Sequence, residues 1–163
     1  AEGRKVADDL VARIRIELVR ELDASGPLKA VVVCKYIVPE ITSNISRRTG
    51  WRVSRVSLRP RNPALASPDA WEQKVLLDFE RRQARGEKPE TLEHMEIVTE
   101  PAGRYFRYMK AIPLAPQCEA CHGPPGNLSQ AQRTQLAHEY PFDKAIGSTS
   151  GELRGATTVK RPL

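Results

Sequence analysis

Residues 91–113 read TLEHMEIVTEPAGRYFRYMKAIP, from Thr91 to Pro113. β-Branched and aromatic residues run from Thr91 to Thr99 and again from Gly103 to Pro113, on either side of Glu100-Pro101-Ala102-Gly103. That pattern predicts two antiparallel strands joined by a tight turn. Working back toward the N-terminus, the period changes. Val6, Leu10, Ile14, Leu18 and Leu22 recur every four positions from Arg4 to Asp23, with Val11 and Val19 widening the stripe, which predicts an amphipathic helix. Ser25-Gly26-Pro27 stops it, because glycine takes the left-handed cap and proline prevents continuation.

A second helix is expected over residues 28–48, its inner face made by Ala30, Cys34, Ile37, Val38, Ile41 and Ile45. Pro39 lies inside it, removing a backbone donor and predicting a kink just after Cys34. Thr49-Gly50 ends the helix, and Trp51 to Leu58 reads as a strand. After the turn-rich segment from Pro60 to Pro68, a third helix is expected from Asp69 to Arg85 with Trp71, Val75, Leu76 and Phe79 inward. Ser129 to His138 predicts a short helix and Gly151 to Val159 a last strand. Helices followed by strands mixed with loops make an α+β domain, one unit over residues 1–163.

Composition excludes some classes. Hydrophobic residues make up 40% and charged residues 28% of the chain, ordinary values for a globular protein. No window approaches the roughly 18 consecutive apolar residues of a membrane span. A net charge of +6 points to an anionic partner, but the arginines are scattered and lack the aromatic interleaving of nucleic-acid grooves, so no nucleic-acid role is expected. The basic surface suits an acidic redox partner instead.

The chemistry lies in Cys118-Glu119-Ala120-Cys121-His122. This C-x-x-C-H run is the attachment signal of a c-type haem: two thiols on one turn each form a thioether to a vinyl group, and the adjoining imidazole ligates the iron. A zinc knuckle needs four ligands, usually as two spaced pairs, and only one pair exists here; a thioredoxin-like dithiol does not need the adjoining histidine. One covalent haem c is therefore expected, held by Cys118 and Cys121 with His122 as proximal ligand. Its attachment outside the bacterial cytoplasmic membrane implies a periplasmic protein. The chain opens Ala1-Glu2-Gly3 with no charged n-region or apolar h-region, as expected when a leader or anchor is absent from the sequence.

The second axial ligand has several candidates on residues alone: Cys34, His94, His138, Met95 and Met109. Methionines in strands commonly fill core, and an unpaired cysteine commonly behaves as a small buried apolar group. Ferric iron nevertheless lowers the pKa of a thiol within reach and binds the thiolate. Arg59 and Arg61 flank a proline in a stiff loop and are candidate partners for a haem propionate through bidentate pairing.

Val33-Cys34, Thr49-Gly50-Trp51, Ser57-Leu58-Arg59-Pro60-Arg61-Asn62-Pro63, Pro68-Asp69-Ala70-Trp71-Glu72, the Cys118 to His122 run and Leu153-Arg154-Gly155-Ala156 span nearly the whole chain. Together they resemble the single-haem cytochrome c family with a PAS-like fold, whose members stand alone or ahead of bacterial signalling kinases. The resemblance implies His/Cys axial ligation with Cys34 as distal ligand. It also implies an antiparallel PAS-like sheet with helices on one side.

These residues lead to three expectations. The first is a redox or diatomic-gas sensor, in which reduction weakens the iron–sulfur bond, Cys34 dissociates, and carbon monoxide or nitric oxide takes the open position. The second is an electron-transfer cytochrome. An enzyme ranks last, because no acid–base pair can be named beside the haem. A sensor without an output module of its own reports to a signalling protein, and the helix over residues 4–23 offers a homodimer surface as well as a packing face.

Overall fold

The computed structural model describes residues 1–163. The first helix, α1, spans Glu2–Ser25, and its repeat buries Gly3, Ala7, Leu10 and Ile14. Gly3 allows close approach: a Cβ there would lie 3.1 Å from Tyr108 Cγ. Gly26 then donates its N–H to Leu22 O at 3.1 Å, and Pro27 opens α2 (Pro27–Thr49) at a position whose N–H has no helical partner in any case. α2 runs as a single helix through Pro39, and Thr42 Oγ1 donates to Val38 O at 2.9 Å within it. Gly50 ends it in the left-handed conformation, φ 70°, with its N–H on Ser46 O.

Four strands follow in the chain, separated by short helices: β1 (Arg52–Val56), α3 (Pro63–Ala66), α4 (Ala70–Ala84), β2 (Glu93–Glu100), β3 (Gly103–Pro113), α5 (Glu119–His122), α6 (Gln130–Glu139) and β4 (Leu153–Pro162). They form one antiparallel sheet in the order β1-β4-β3-β2. The hairpin expected from residues 91–113 is β2–β3, closed at the Glu100–Gly103 pair. α4 begins with a reciprocal cap between Asp69 and Glu72, and α6 with the same device between Ser129 and Gln132.

Both faces of the sheet are covered. Val53, Tyr108 and Val159 pack against Ala7, Leu10, Ile14, Val38 and Ile45 of α1 and α2. Val56, Met109, Ala111 and Ala156 point the other way, onto Val75, Leu76 and Phe79 of α4. The expectation of helices on one side is thereby corrected. The strands carry apolar residues at alternate and intervening positions, so each face needs a cover, and the α4 stripe supplies the second. On that face Arg107, 2% exposed, reaches Asp69 at 2.7 Å, Glu72 at 3.1 Å and Glu100 at 3.4 Å and stacks on Trp71. A smaller core of Val31, Leu128, Leu136 and Tyr140, with Cys121 and Ile146 against it, joins α2 to α6 and to the cysteine segment. No helix is long and apolar enough to cross a membrane.

Candidate functional site

Cys118 closes a short 3-10 turn and Cys121-His122 ends α5, so the whole motif occupies one compact turn. The segment from Asp143 to Ser148 wraps that turn. Gly147 N–H donates to Gly123 O at 3.0 Å and Ser148 N–H to His122 O at 2.9 Å. The same segment fixes the imidazole: His122 Nδ1 lies 2.9 Å from Ala145 O, which makes Nδ1 the protonated nitrogen and places the lone pair on Nε2. Burial, reinforced by Arg154, Arg61 and Arg55, holds the His122 pKa well below its ordinary value, so the ring is neutral.

Arg61 anchors this arrangement. Its Nη2 donates to Cys121 O and, at 3.2 Å, to Ala145 O, while Nε faces Asp143 Oδ2 at 3.1 Å with both side chains almost out of solvent. The pair is ionic although its atoms are misaligned for a hydrogen bond. Asp143 Oδ1 in turn accepts the Ala145 N–H at 2.7 Å. The carbonyl that orients His122 is therefore held from both sides by an ion pair.

Cys34 comes to the same place from α2. It is half-buried, and its charge environment is set by Arg55, Cys121, Arg61 and Cys118. Burial pushes its thiol pKa up, opposed by Arg55 and Arg61. Burial also raises Cys121, opposed chiefly by Arg61. All three thiols are unpaired. No three His, Cys, Asp or Glu side chains draw together as ligands of one metal ion, so the tetrahedral donor set of a zinc site is not formed.

The other candidates lie elsewhere. His94 and Met95 sit on the edge strand β2, where His94 contacts Glu96 at 3.3 Å and Met95 is exposed. Met109 is fully buried against α4, and His138 is exposed on α6 beside Glu139. Of the two loop arginines, Arg61 enters the site. The Arg59 side chain is exposed, and its carbonyl accepts from Arg154 at 3.3 Å.

Four participants were not legible in the sequence: Arg55, Arg154, Asp143 and Ala145. Arg154 Nε points at His122 Nε2 at 3.4 Å, and its Nη1 is steadied by Ser57 Oγ at 3.0 Å. Burial, with Arg61 and Arg55 nearby, pushes its pKa down to about 10. Arg55 keeps part of its surface in solvent, and crowding by neighbouring protein atoms pushes its pKa down. A separate hollow of about 310 Å³ between α1 and α2, lined by Arg13, Ile16 and Ile41 among others, contains no cysteine or histidine.

Comparison with known proteins gives a consistent result. A search of curated proteins finds no match. Among solved structures, the cyanobacterial haem protein Tll0287 superposes with a TM-score of 0.63 at 26% sequence identity, over 77% of this chain and 70% of that one. The model of the Tll0287-like family matches residues 4–162. The chain belongs to the Tll0287-like family.

Proposed function

We propose that the chain is a periplasmic c-type cytochrome with one covalent haem, and that it acts as a redox or diatomic-gas sensor. The observation that carries the reading is the His122 imidazole, neutral, locked in one tautomer by Ala145 O, on a turn that also presents Cys118 and Cys121. Likeness to a protein described as a haem protein supports it. The donor set also fits the group. A porphyrin needs two thiols at its rim, one imidazole below and positive charge for its carboxylates, and does not need four side chains converging on a point.

In this reading Cys118 and Cys121 would hold the haem, each through a thioether that arises when its S–H adds across one vinyl group, sulfur to the inner carbon and hydrogen to the outer. His122 Nε2 and Cys34 Sγ would hold the iron. Bound haem supplies one-electron redox chemistry and an axial position that takes carbon monoxide or nitric oxide. The residue that switches is Cys34. Its surroundings favour the neutral thiol, so Cys34 would hold a proton whenever it does not bind the iron. Lys35, the next residue, pairs with Glu139 of α6 at 2.7 Å, and Tyr140 packs on Val31 one turn earlier, so movement at Cys34 is felt by α6. A signalling protein or redox partner then reads the change.

Production with a cytochrome c maturation system tests this directly. The expected product is a red protein whose mass includes one haem, lost when Cys118 and Cys121 are both replaced by alanine. Carbon monoxide added to the reduced protein is expected to shift the Soret band. Unchanged axial ligation in both oxidation states, with no carbon monoxide adduct, would support an electron carrier instead.

A further inference from the structure

On β1 and β4, two charged groups beside the cysteine motif lack a counter-charge. Arg55 and Arg154 are the two guanidinium groups of the site that pair with no carboxylate, whereas Arg61 has Asp143. Arg55 projects from the same face of β1 as Val53, beneath α2 and toward Cys34. Its cross-strand neighbour in the sheet register is Thr157 of β4, whose side chain shares that face. Thr157 is fully buried, and its Oγ1 has no hydrogen-bond partner. A buried hydroxyl left unpaired costs free energy, and the guanidinium opposite it on β1 has no carboxylate partner. Both lie on one stretch of sheet, next to the cysteines.

The geometry points to a built anion site: Arg55 with Thr157 Oγ1, and Arg154 steadied by Ser57, form the cradle for the two carboxylates of the haem. The inference rests on the haem reading above and extends it by placing the anionic edge of the group inward against β1 and β4 rather than in solvent. Two unpaired guanidinium groups match two propionates in charge. Arg154 also has to leave His122 Nε2 for that nitrogen to serve as a ligand, and a carboxylate gives its guanidinium a better partner than the imidazole. Arg61, occupied by Asp143 and two carbonyls, positions His122 through Ala145.

The test uses the matured holoprotein and its Arg55→Leu, Arg154→Leu, Arg55→Lys and Thr157→Val variants. Arg52→Leu serves as control, since it removes the same charge from the opposite face of β1. Resonance Raman bands of propionate bending are expected to shift in all four site variants and to stay unchanged in Arg52→Leu. Loss of a positive charge beside the haem is expected to raise the ferric-to-ferrous ratio at a fixed ambient potential about tenfold in Arg55→Leu and Arg154→Leu. Arg55→Lys keeps the charge and so the ratio, but alters the band because lysine cannot pair bidentately. If Arg55→Leu does not fold, Arg55→Lys and Thr157→Val still decide. Wild-type protein that carries no haem would overturn the functional reading itself. Haem attached with normal axial signatures, but with Raman bands and potentials unmoved in the site variants, would overturn the cradle alone.

Discussion

Asp143→Ala is the most informative single change away from the sulfur and imidazole groups. Asp143 Oδ2 faces Arg61 Nε at 3.1 Å, with 7% and 10% side-chain exposure, and Oδ1 accepts the Ala145 N–H at 2.7 Å. Removing one partner of a buried ion pair leaves the other charge uncompensated, at a cost of about 3–5 kcal/mol. The orphaned Ala145 N–H adds about 1 kcal/mol. Arg61 retains the carbonyls of Cys121 and Ala145 as acceptors, which offsets part of this. We therefore expect a net loss of about 3 kcal/mol, a large share of a domain stability on the order of 5–15 kcal/mol. Asp143→Asn keeps an acceptor for Ala145 and should cost about half as much. Urea unfolding of the holoprotein measures both as a drop in midpoint with little change in slope. Because the pair acts as a unit, the Arg61→Met/Asp143→Leu double variant should be less destabilised than the two single changes summed. The loss should also reach His122, whose Nδ1 depends on the Ala145 carbonyl, and broaden the ferric electron paramagnetic resonance lines. A cost below about 0.5 kcal/mol for Asp143→Ala, the range of an ordinary surface change, would refute this account of the ion pair.

Other predictions concern the frame around the site. Gly155→Ala places a Cβ inside contact distance of Val56 O, backbone that cannot move without disturbing β1, and should lower stability by about 1–3 kcal/mol in thermal unfolding. Arg107→Leu leaves the buried Glu72 without its counter-charge and should cost about 3–5 kcal/mol by urea titration, with α4 the first segment to lose hydrogen-exchange protection. Glu93 accepts from Arg4 and from Tyr108 Oη, which hold its pKa down at about 2 against an ordinary 4.5. Its contribution is therefore complete above pH 4.5 and fades as pH falls toward 2, so acid titration should destabilise the wild type more than Glu93→Gln over that window.

Local patterns made most of the fold legible. The four-residue repeat of α1 and the Gly26-Pro27 break give the helical hairpin, and the strand–turn–strand pattern of residues 91–113 gives β2–β3 almost to the residue. Asp69 and Ser129 mark helix starts because their partners sit three positions on. What proved illegible is what long-range packing decides. Apolar residues on both sides of β3, such as Tyr108 and Met109, were compatible with a one-sided sheet until α4 was seen to cover the second face. Helical spacing puts Ile37 inward, but it is 37% exposed, because the sheet lies beneath Val38, Ile41 and Ile45. In the site, C-x-x-C-H is a contiguous pattern and reads directly. Ala145 contributes a backbone carbonyl, which no side chain announces, and Arg55 and Arg154 reach the site only through the long-range pairing of β1 with β4. Pro60 separates Arg59 and Arg61 symmetrically in sequence, yet only Arg61 turns inward.

The central proposal is that Cys34 and His122 would both bind one iron. Electron paramagnetic resonance of the ferric holoprotein beside Cys34→Ser tests it most directly. A low-spin thiolate spectrum in the wild type, replaced by a different signal in the variant while the haem stays covalently attached, is the result predicted. Identical spectra from the two proteins would contradict it.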